Sequence, residues 1–353
     1  MKYDKNSYLS ILDQIKKEDT ESSINMNDRV LIVDGLNTFI RSFAVNPAVN
    51  EDGLHVGGLA GFLKSIKYSI SILKPTRCII VFDGKNGSKR RQKIYPEYKQ
   101  NRKVKERLNR NVDWGTAPQD EQESMKHQIS RLIEYLEQLP LNLICVDGIE
   151  ADDTMAYVSK QILKESNIIL MSTDKDFLQL VDDRVKVWSP TKKKLYDKNS
   201  IFEEYGISSE NFLLYRMMEG DKSDNIDGIK GVGLKSIIKY LPMIQDSKRV
   251  LVKDVIEYVE KTDSKIKALT NIKNSRKLLD RNFHLMQLFN VDIPNHTKMK
   301  IQGAVESLPQ KMVKHEFQIM FMKDKLQSQI LNLDSWLLEF MKLDRIRGLS
   351  IND

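Results

Sequence analysis

The sequence predicts an α/β fold built on a doubly wound parallel sheet, followed by a mostly helical C-terminal region. Between residues 29 and 200, short runs of β-branched and aliphatic residues alternate with helical patterns, which is the order of elements in a parallel sheet with crossover helices. Two of these runs end in the same dipeptide, Asp34-Gly35 and Asp83-Gly84. Beyond about Ser200 the apolar spacing becomes helical.

The predicted strands and helices follow one another in a regular order. Apolar runs predict five strands, at residues 30–33, 78–82, 143–146, 168–171 and 185–188. Apolar residues at helical spacing predict helices at residues 58–73, 125–138 and 151–164, with further periodicity at 317–322 and 336–341. We therefore divide the chain into an N-terminal extension, an α/β core and a helical region, at residues 1–28, 29–200 and 201–353.

Composition excludes several classes of protein. The 353 residues are 41% hydrophobic and 30% charged, and no apolar run approaches the roughly 18 residues of a membrane helix. The polar N-terminus lacks the apolar segment of a secretory signal, so we expect a cytoplasmic protein. Cys78 and Cys145 lie in apolar runs without a Cys-x-x-Cys partner, and we predict that both are buried thiols. The five histidines form no zinc-binding pattern.

Positive charge is concentrated in one segment. Residues 85–110 contain eleven Lys and Arg against two acidic residues, whereas the whole chain has a net charge of only +7. Such a run is typical either of a solvated, disordered stretch or of a surface that neutralises nucleic-acid phosphates. Tyr95 and Tyr98 interrupt the run, and aromatic rings stack on unpaired bases. We therefore interpret the segment as a nucleic-acid-binding surface.

Acidic residues follow the predicted strands at their carboxyl ends, where open α/β sheets bind ligands. Because these ends meet at one edge of the sheet, we expect the carboxylates to converge. Asp174 and Asp176, two apart in an extended segment, are expected to face one side. Asp221 and Asp224, three apart, are expected to share a helix face. The complete set is Asp34, Asp83, Glu150, Asp152, Asp153, Asp174, Asp176, Asp221 and Asp224.

Carboxylates gathered without matching bases repel one another, so the cluster predicts bound cations. Ligation by oxygen alone favours Mg²⁺ or Mn²⁺, and two such ions activate water and stabilise the attacking and leaving oxygens at a phosphodiester. For any one of these residues, a helix N-cap is about as good an explanation. Asp153 in particular could cap a helix while Glu150 and Asp152 supply the ligands. Taken together, the residues favour a site for two metal ions.

A glycine-rich loop precedes a helical pattern at residues 234–241. Gly228, Gly231 and Gly233 have the spacing Gly-x-x-Gly-x-Gly, with Lys230 and Lys235 beside them. Backbone N–H groups at such a helix start bind phosphate, and loop carbonyls could hold K⁺. The same pattern also suits a plain turn between helices. A second glycine cluster, at residues 57–61, is predicted instead to allow close helix packing.

The ordered set of motifs resembles the 5′-nuclease family, which includes flap endonucleases and the 5′-nuclease domains of bacterial polymerases. The motifs are LIVDG at residues 31–35, VFDG at 81–84, YPEYKQNR at 95–102, EADD at 150–153, STDKDF at 172–177, GDKSDN at 220–225 and the glycine loop. Each motif is short, but their order along the chain is specific. Within the family the chain most resembles the ribonuclease H branch of T-even phages.

The resemblance implies a PIN-like core with a helical arch at residues 85–125 and a helix-three-turn-helix element around residues 228–233. It implies that one metal is held by Asp34, Asp83, Glu150 and Asp152, and a second by Asp152, Asp174, Asp176, Asp221 and Asp224. It places Lys99 and Arg102 over the scissile phosphate, and we name Asp152 and Asp174 with them as catalytic residues. The residues expected to contact nucleic acid are Tyr95, Tyr98, Lys99, Arg102, Gly228, Lys230, Gly231, Gly233 and Lys235.

We therefore predict a magnesium-dependent 5′ to 3′ nuclease, with flap endonuclease and ribonuclease H activity, that removes RNA primers and 5′ DNA ends during replication. We expect a monomer that acts in the cytoplasm, which is the host cytoplasm if a phage encodes the protein. The resemblance implies a sliding clamp and a single-strand binding protein as partners, and an apolar stripe from Tyr8 to Ile15 is a candidate clamp-docking helix. Two alternatives stay open: a PIN-type endoribonuclease that prefers unstructured RNA, and a non-catalytic DNA-junction binding protein.

Overall fold

The computed structural model describes residues 25–103, 107–114, 118–262 and 266–350. Its centre is a six-stranded sheet with the strand order β3-β2-β1-β4-β5-β6. The strands are β1 Arg29–Asp34, β2 Arg77–Asp83, β3 Asn142–Val146, β4 Asn167–Met171, β5 Val185–Ser189 and β6 Lys194–Tyr196. Strands β1 to β5 pair in parallel, which confirms the predicted α/β class and all five predicted strands.

The sixth strand differs from the parallel prediction because β6 pairs antiparallel with β5. Only residues 190–193 connect the two strands, and a connection this short forms a hairpin rather than a crossover. Lys193 adopts a left-handed conformation in this turn, with φ of 50°. The sheet is therefore mixed, with one antiparallel strand at its edge.

The central strands are buried on both faces. All six residues of β1 are buried, as are the first five of β2 and the last four of β4. Burial on both faces explains why these strands read as continuous apolar runs rather than as an alternation of apolar and polar residues. Because β1 to β4 run in one direction, their carboxyl ends meet at one edge of the sheet.

Helices cover both faces of the sheet. Those of the first half are α1 Gly35–Val45, α2 Gly57–Leu73, α3 Lys89–Ile94, α4 Pro118–Leu136, α5 Ala151–Tyr157 and α6 Lys198–Tyr205, and a π-helix at Val158–Ile162 continues α5. A Cβ on Gly58 would lie 2.8 Å from the Phe39 ring, and one on Gly61 would lie 2.8 Å from Ser42. The predicted packing role of this glycine cluster is therefore confirmed, since α1 and α2 approach each other through it.

The second half is helical, as predicted. Its helices are α7 Phe212–Glu219, α8 Leu234–Tyr240, α9 Val252–Lys261, α10 Lys267–Lys273, α11 Arg276–Met286, α12 Asn295–Glu306, α13 Lys314–Lys323 and α14 Leu333–Leu349. Phe317 and Phe340 of α13 and α14 join the apolar cluster formed by α1, α2 and one face of the sheet, and α7 to α12 join the cluster on the other face. Both clusters contain residues from either side of residue 200, where we placed a domain boundary.

Three further predictions concern single segments. Cys78 is fully buried, as predicted, and burial raises the pKa of its thiol. Cys145 is exposed, contrary to the prediction, because it lies on the edge strand β3. The candidate clamp-docking stripe lies outside the described residues. Across the described parts of the chain, the structure has no helix with the length and apolar character needed to cross a membrane.

Candidate active site

A cleft of about 520 Å³ opens at the carboxyl edge of the sheet. Its lining includes Asn37 of α1, Thr173 and Asp174 after β4, Arg102 of the basic segment, and Arg216 and Asp221 around the end of α7. The edge therefore brings together side chains that are far apart in the sequence, as the motif order predicted. The acidic residues around it fall into two groups, which differ in whether a basic side chain accompanies them.

The first group forms no ion pair among the residues that the structure describes, although Lys99 acts to lower the pKa of Asp152 and Arg216 that of Asp174. Within the described residues, no ion pair joins Asp34, Asp152 or Asp174 to a Lys or Arg. Burial raises the pKa of all three carboxyls, that of Asp34 to about 7. Neighbouring carboxylates add to the shift, since Asp83 and Asp174 raise the pKa of Asp34, while Asp34 and Asp174 raise that of Asp152. The predicted convergence at this edge is therefore present in the structure.

These acidic residues also organise the local backbone. Asp34 caps α1 by accepting a hydrogen bond from the Asn37 N–H at 3.0 Å, and its other oxygen accepts one from the Ser172 hydroxyl at 3.1 Å. An oxygen of Asp83 accepts from the Ala151 N–H at 2.9 Å, at the start of α5. The same side chains therefore cap helices and lie at one site, so the two interpretations do not exclude each other.

The second group is held by basic side chains. Glu150 is buried and contacts the Arg91 guanidinium, the Lys99 ammonium and the Ser88 hydroxyl. Arg91 and Lys99 lower the pKa of Glu150 to about 2 despite its burial. Asp153 is also buried, and both of its oxygens accept hydrogen bonds from Arg91, at 2.7 and 2.8 Å. The structure therefore places Asp153 in a buried ion pair, not among the unpaired carboxylates where a metal was expected.

Arg216 performs the same role on the other side of the cleft. Its guanidinium donates to Asp176 at 2.7 Å and to Asp221 at 2.6 Å. The pKa of Asp221 is lowered by hydrogen bonds from Ser223 and by Arg216, although burial opposes this. For Asp176 burial outweighs Arg216, and the pKa rises to about 7. Asp224 in turn contacts Arg102 and accepts a hydrogen bond from the Tyr98 hydroxyl at 3.1 Å.

Several expectations about these carboxylates are wrong in detail. The segment after Asp174 is a 3-10 helix, Lys175–Leu180, rather than extended, because Asp174 caps it through the Asp176 N–H. Asp221 and Asp224 lie in a turn rather than on a helix, because an oxygen of Asp221 accepts from the N–H groups of Ser223 and Asp224. The sequence also predicts carboxylates without matching bases, whereas several of them are paired with Arg or Lys.

The arrangement is not a preformed metal cage. Among the residues that the structure describes, no three His, Cys, Asp or Glu side chains are grouped closely enough to hold an ion as they stand. Two physical causes account for this. Like charges without a cation between them separate, and the bases draw Glu150, Asp176, Asp221 and Asp224 toward themselves.

The predicted arch, residues 85–125, is described in part, with residues 104–106 and 115–117 outside the described ranges. Lys99 adopts a left-handed conformation, with φ of 59°, and its backbone N–H donates to the Asp224 carbonyl at 2.9 Å. Tyr98 is only 3% exposed, and its hydroxyl faces Glu150 and Asp224. Its ring is therefore not accessible for stacking on unpaired bases, contrary to the prediction. Tyr95 is partly buried, and the Arg281 guanidinium lies 4.3 Å from the centroid of its ring.

The glycine loop is a tight turn of the backbone, as its sequence suggests. A Cβ on Gly228 would lie 2.0 Å from the Glu219 carbonyl oxygen, and Gly231 has a φ of 74°, so both positions require glycine. Gly233 precedes helix α8, and its N–H is already satisfied by the Ser236 hydroxyl at 3.0 Å. The side chains of Lys230 and Lys235 are exposed beside the loop.

Sequence reasoning missed the residues that hold the acidic ones. Arg91 and Arg216 neutralise buried carboxylates, Ser172 links Asp34 to the strand end, and Arg41 donates to the Thr173 hydroxyl at 3.0 Å at the rim of the site. Arg91 was counted only as one charge of the basic segment. Arg216 lies on a mostly apolar helix. A charged residue in the middle of such a helix is buried only when it is paired, and this is the signal by which the sequence indicates an acidic partner.

Comparison with known proteins agrees with this geometry. Residues 29–206 match the family described as 5′-3′ exonuclease, N-terminal resolvase-like domain. A 5′-3′ exonuclease of Aquifex aeolicus is 32% identical over 212 residues, which are 60% of this chain and 68% of that protein. A 5′-3′ exonuclease of Buchnera aphidicola is 27% identical, over 78% of this chain and 91% of that protein.

A solved structure shares the fold. The flap endonuclease of bacteriophage T5, in a complex with DNA and metal ions, superposes with a TM-score of 0.60 and is 23% identical. The superposition covers 85% of this chain and 100% of that one.

Proposed function

Because the chain belongs to the 5′-3′ exonuclease family, we propose that it hydrolyses phosphodiester bonds at the 5′ ends of RNA primers and DNA flaps on duplex, leaving 5′-phosphates. One observation supports the proposal above the others. Asp34, Asp152 and Asp174 are close enough for their charges to interact and form no ion pair in the described residues, although Arg and Lys side chains are paired with the acidic residues around them. A charge left unbalanced in this way suits a divalent cation.

The donor atoms fit Mg²⁺ or Mn²⁺. Every candidate ligand is a carboxylate oxygen. Burial is the main cause that raises the pKa of Asp34 and Asp152, and the repulsion from neighbouring carboxylates that adds to it is relieved when a cation lies between them. We assign Asp34, Asp83, Asp152 and Asp174 as the residues that would hold it, with Glu150, Asp176, Asp221 and Asp224 around them. When bound, divalent cations at such a site lower the pKa of water and stabilise charge on the phosphate oxygens.

The basic side chains would orient the scissile phosphate. Lys99 lies over the acidic edge, with its ammonium on Glu150 and 3.9 Å from Asp224, and Arg102 contacts Asp224 while lining the cleft. A phosphate that enters the cleft exchanges these carboxylate contacts for its own oxygens, and the fixed positive charges stabilise the extra negative charge of the transition state. Both roles require the charge of the side chain and its position over the cleft.

The glycine loop would bind the duplex part of the substrate. Lys230 and Lys235 supply exposed positive charge, and Gly231 permits the close approach of a phosphate backbone. The carbonyls of Ile229 and Lys230 already accept hydrogen bonds from Val232 and Asn271. K⁺ at this loop therefore stays a prediction.

A cleavage assay on two substrates tests the proposal. A 5′-labelled flap on duplex and an RNA-primed duplex are incubated with Mg²⁺, then with chelator, and the products are sized. We expect short 5′ products that need Mg²⁺ from both. A preference for unstructured RNA would favour an endoribonuclease, and tight binding without any Mg²⁺-dependent product would favour a junction-binding protein.

Partner binding stays a prediction of the resemblance. The residues proposed to dock a sliding clamp, 8–15, lie outside the described ranges. Deleting residues 1–20 should remove stimulation by the clamp and leave basal cleavage intact. Stimulation that survives the deletion would remove this assignment. Binding of a single-strand binding protein, the monomeric state and the cytoplasmic location are proposed on the same basis.

A further inference from the structure

The segment that carries Lys99 lies against the turn that carries Asp224. We call residues 97–102 the Lys99 segment and residues 220–225 the acidic turn. The backbone N–H of Lys99 donates to the Asp224 carbonyl at 2.9 Å, which joins the two at a central point. This bond involves only backbone atoms, but it places Lys99 between two further contacts that involve side chains.

Two asparagine amides flank that central bond. The Asn101 amide donates to the Lys222 carbonyl at 2.7 Å, and the Asn225 amide donates in the opposite direction to the Glu97 carbonyl at 2.8 Å. The three pairs follow an antiparallel order, because the residue number rises in one segment as it falls in the other. We call the two side-chain bonds the amide tie. The proposed function uses neither asparagine.

The acidic turn is a fixed support for the amide tie. Asp221 and Ile226 exchange two hydrogen bonds across it, of 2.7 and 2.8 Å. Asn225 has a left-handed backbone with φ of 59°, a conformation that asparagine and glycine adopt more readily than other residues. The ion pair of Asp221 with Arg216 also holds the turn to α7. The turn therefore gives the Lys99 segment a frame whose position is set by the fold.

Lys99 needs this support because of its own backbone conformation. Its φ of 59° lies in the left-handed region, which residues with a Cβ seldom adopt. With this backbone the ammonium reaches Glu150, and the side chain is only 15% exposed. Without the tie, the segment is free to return to an ordinary conformation in which the ammonium no longer reaches Glu150. Arg102 belongs to the same segment and is placed by the same contacts.

The amide tie is suited to positioning rather than to stabilising the fold. Asn101 is exposed and Asn225 is half-buried, so water can take the place of either amide when it is removed. The described lining of the active cleft includes neither asparagine, whereas Arg102 belongs to it. An effect of the asparagines on the reaction therefore passes through the basic side chains.

We propose that Asn101 and Asn225 are positioning residues, which hold Lys99 and Arg102 in place for the scissile phosphate without contacting it. This inference rests on the proposed function, in which the two basic side chains orient that phosphate. Loss of the tie should slow the chemical step and preserve substrate binding, because the positive charges themselves remain.

Single-turnover cleavage of a flapped duplex in Mg²⁺ measures the effect. Asn101→Ala removes one amide, and Asn225→Gly removes the other while permitting the left-handed backbone. Each change should slow the chemical step about tenfold and leave the affinity for the duplex unchanged. Gln100→Ala is the matched control, since its amide donates at 2.9 Å to the Pro96 carbonyl and does not reach the acidic turn. Its rate should equal that of the parent.

Two comparisons separate positioning from other roles. In the background Lys99→Ala/Arg102→Ala, adding Asn101→Ala should have little further effect, because no basic side chain is left to position. A full loss in that background would mean that Asn101 contacts the substrate itself, which would overturn the proposal. Urea midpoints of the asparagine variants should match the parent, and a joint fall of midpoint and rate would instead assign the asparagines to the fold.

Amine labelling of the free protein keeps this inference separate from the proposed function. The parent and the variants are treated with acetic anhydride in chelator, and mass spectrometry follows acetylation of Lys99 against that of the exposed Lys175. Lys99 should react several-fold faster in Asn101→Ala and Asn225→Gly. That result supports the tie even if the parent cuts no substrate, in which case the proposed function alone fails. Equal labelling of Lys99 in all proteins would contradict the tie even in an active nuclease.

Discussion

Two sets of carboxylates share one edge of the sheet, yet their surroundings are opposite. Glu150, Asp153 and Asp221 are paired with arginine or lysine, and the pKa of Glu150 falls to about 2. Asp34 and Asp174 have no such partner in the described residues, and burial raises their pKa. An acidic motif residue therefore belongs to the scaffold or to the chemistry according to the base beside it, and the motif itself does not reveal that base.

The largest expected effect is the loss of cleavage when the unpaired set is neutralised. Asp174→Asn, or Asp152→Asn, removes a charge that we assign to cation binding, and cleavage should fall by more than about 10³-fold. Folding should be preserved or improved, because a repulsive charge has been removed from the cluster. Single-turnover cleavage and duplex binding are measured together, and binding should be unchanged. Persistent cleavage by Asp152→Asn would contradict the assignment.

The paired set should respond in the opposite way. Asp153→Asn leaves the buried Arg91 guanidinium without its two-oxygen partner, and the free energy of unfolding should fall by about 3–5 kcal/mol. Urea denaturation measures the loss, and the folded fraction should still cleave. Asp183→Asn, at an exposed carboxylate, is the matched control and should leave stability unchanged. A stable but inactive Asp153→Asn protein would instead return Asp153 to the predicted metal ligands.

Lys99 tests the boundary between the two sets, because it is paired with Glu150 and also acts to lower the pKa of Asp152 in the unpaired set. Lys99→Ala should slow the chemical step by about 10²-fold, since one positive charge that stabilises the transition state is lost. Single-turnover rates at saturating enzyme isolate this step from binding. Lys175→Ala removes an exposed charge from the lining of the active cleft and should have a much smaller effect. Equal losses in both variants would reduce Lys99 to a general contributor of charge.

The sequence predicted most of the fold and the place of the acidic residues at the ends of the strands, because both have local signals. Apolar runs such as that at 30–33 identify strands buried on both faces, and parallel strands bring their ends to one edge. The partners had no local signal. Arg216 forms its ion pair with Asp176, which lies 40 positions earlier in the sequence. Tyr98 is buried although it belongs to the basic segment, whose composition is typical of an exposed stretch. Short-range structure was misjudged for a related reason, since the Asp174 carboxylate caps its own 3-10 helix.

The smallest expected effect is on the pH dependence of stability, to which both sets of carboxylates contribute. A carboxyl whose pKa is higher in the folded than in the unfolded protein stabilises the fold at low pH and loses that contribution as pH rises. For Asp34 the change runs from about 4 up to about 7, so in chelator the melting temperature should fall across this range. Mg²⁺ should remove most of the decline, because it balances the ionised carboxylates.

Glu150 of the paired set contributes with the opposite sign. It stabilises the fold above its unfolded pKa and loses that contribution only as pH falls toward about 2. Between pH 4 and 7 the slope in chelator therefore reports on the carboxyls whose pKa is raised, which are the unpaired residues together with Asp176, whose pKa also rises to about 7. Asp34→Asn should flatten that slope and make the protein less responsive to Mg²⁺. If its melting curve instead tracked the parent at every pH, with and without Mg²⁺, the unpaired set would have no electrostatic cost for a cation to relieve.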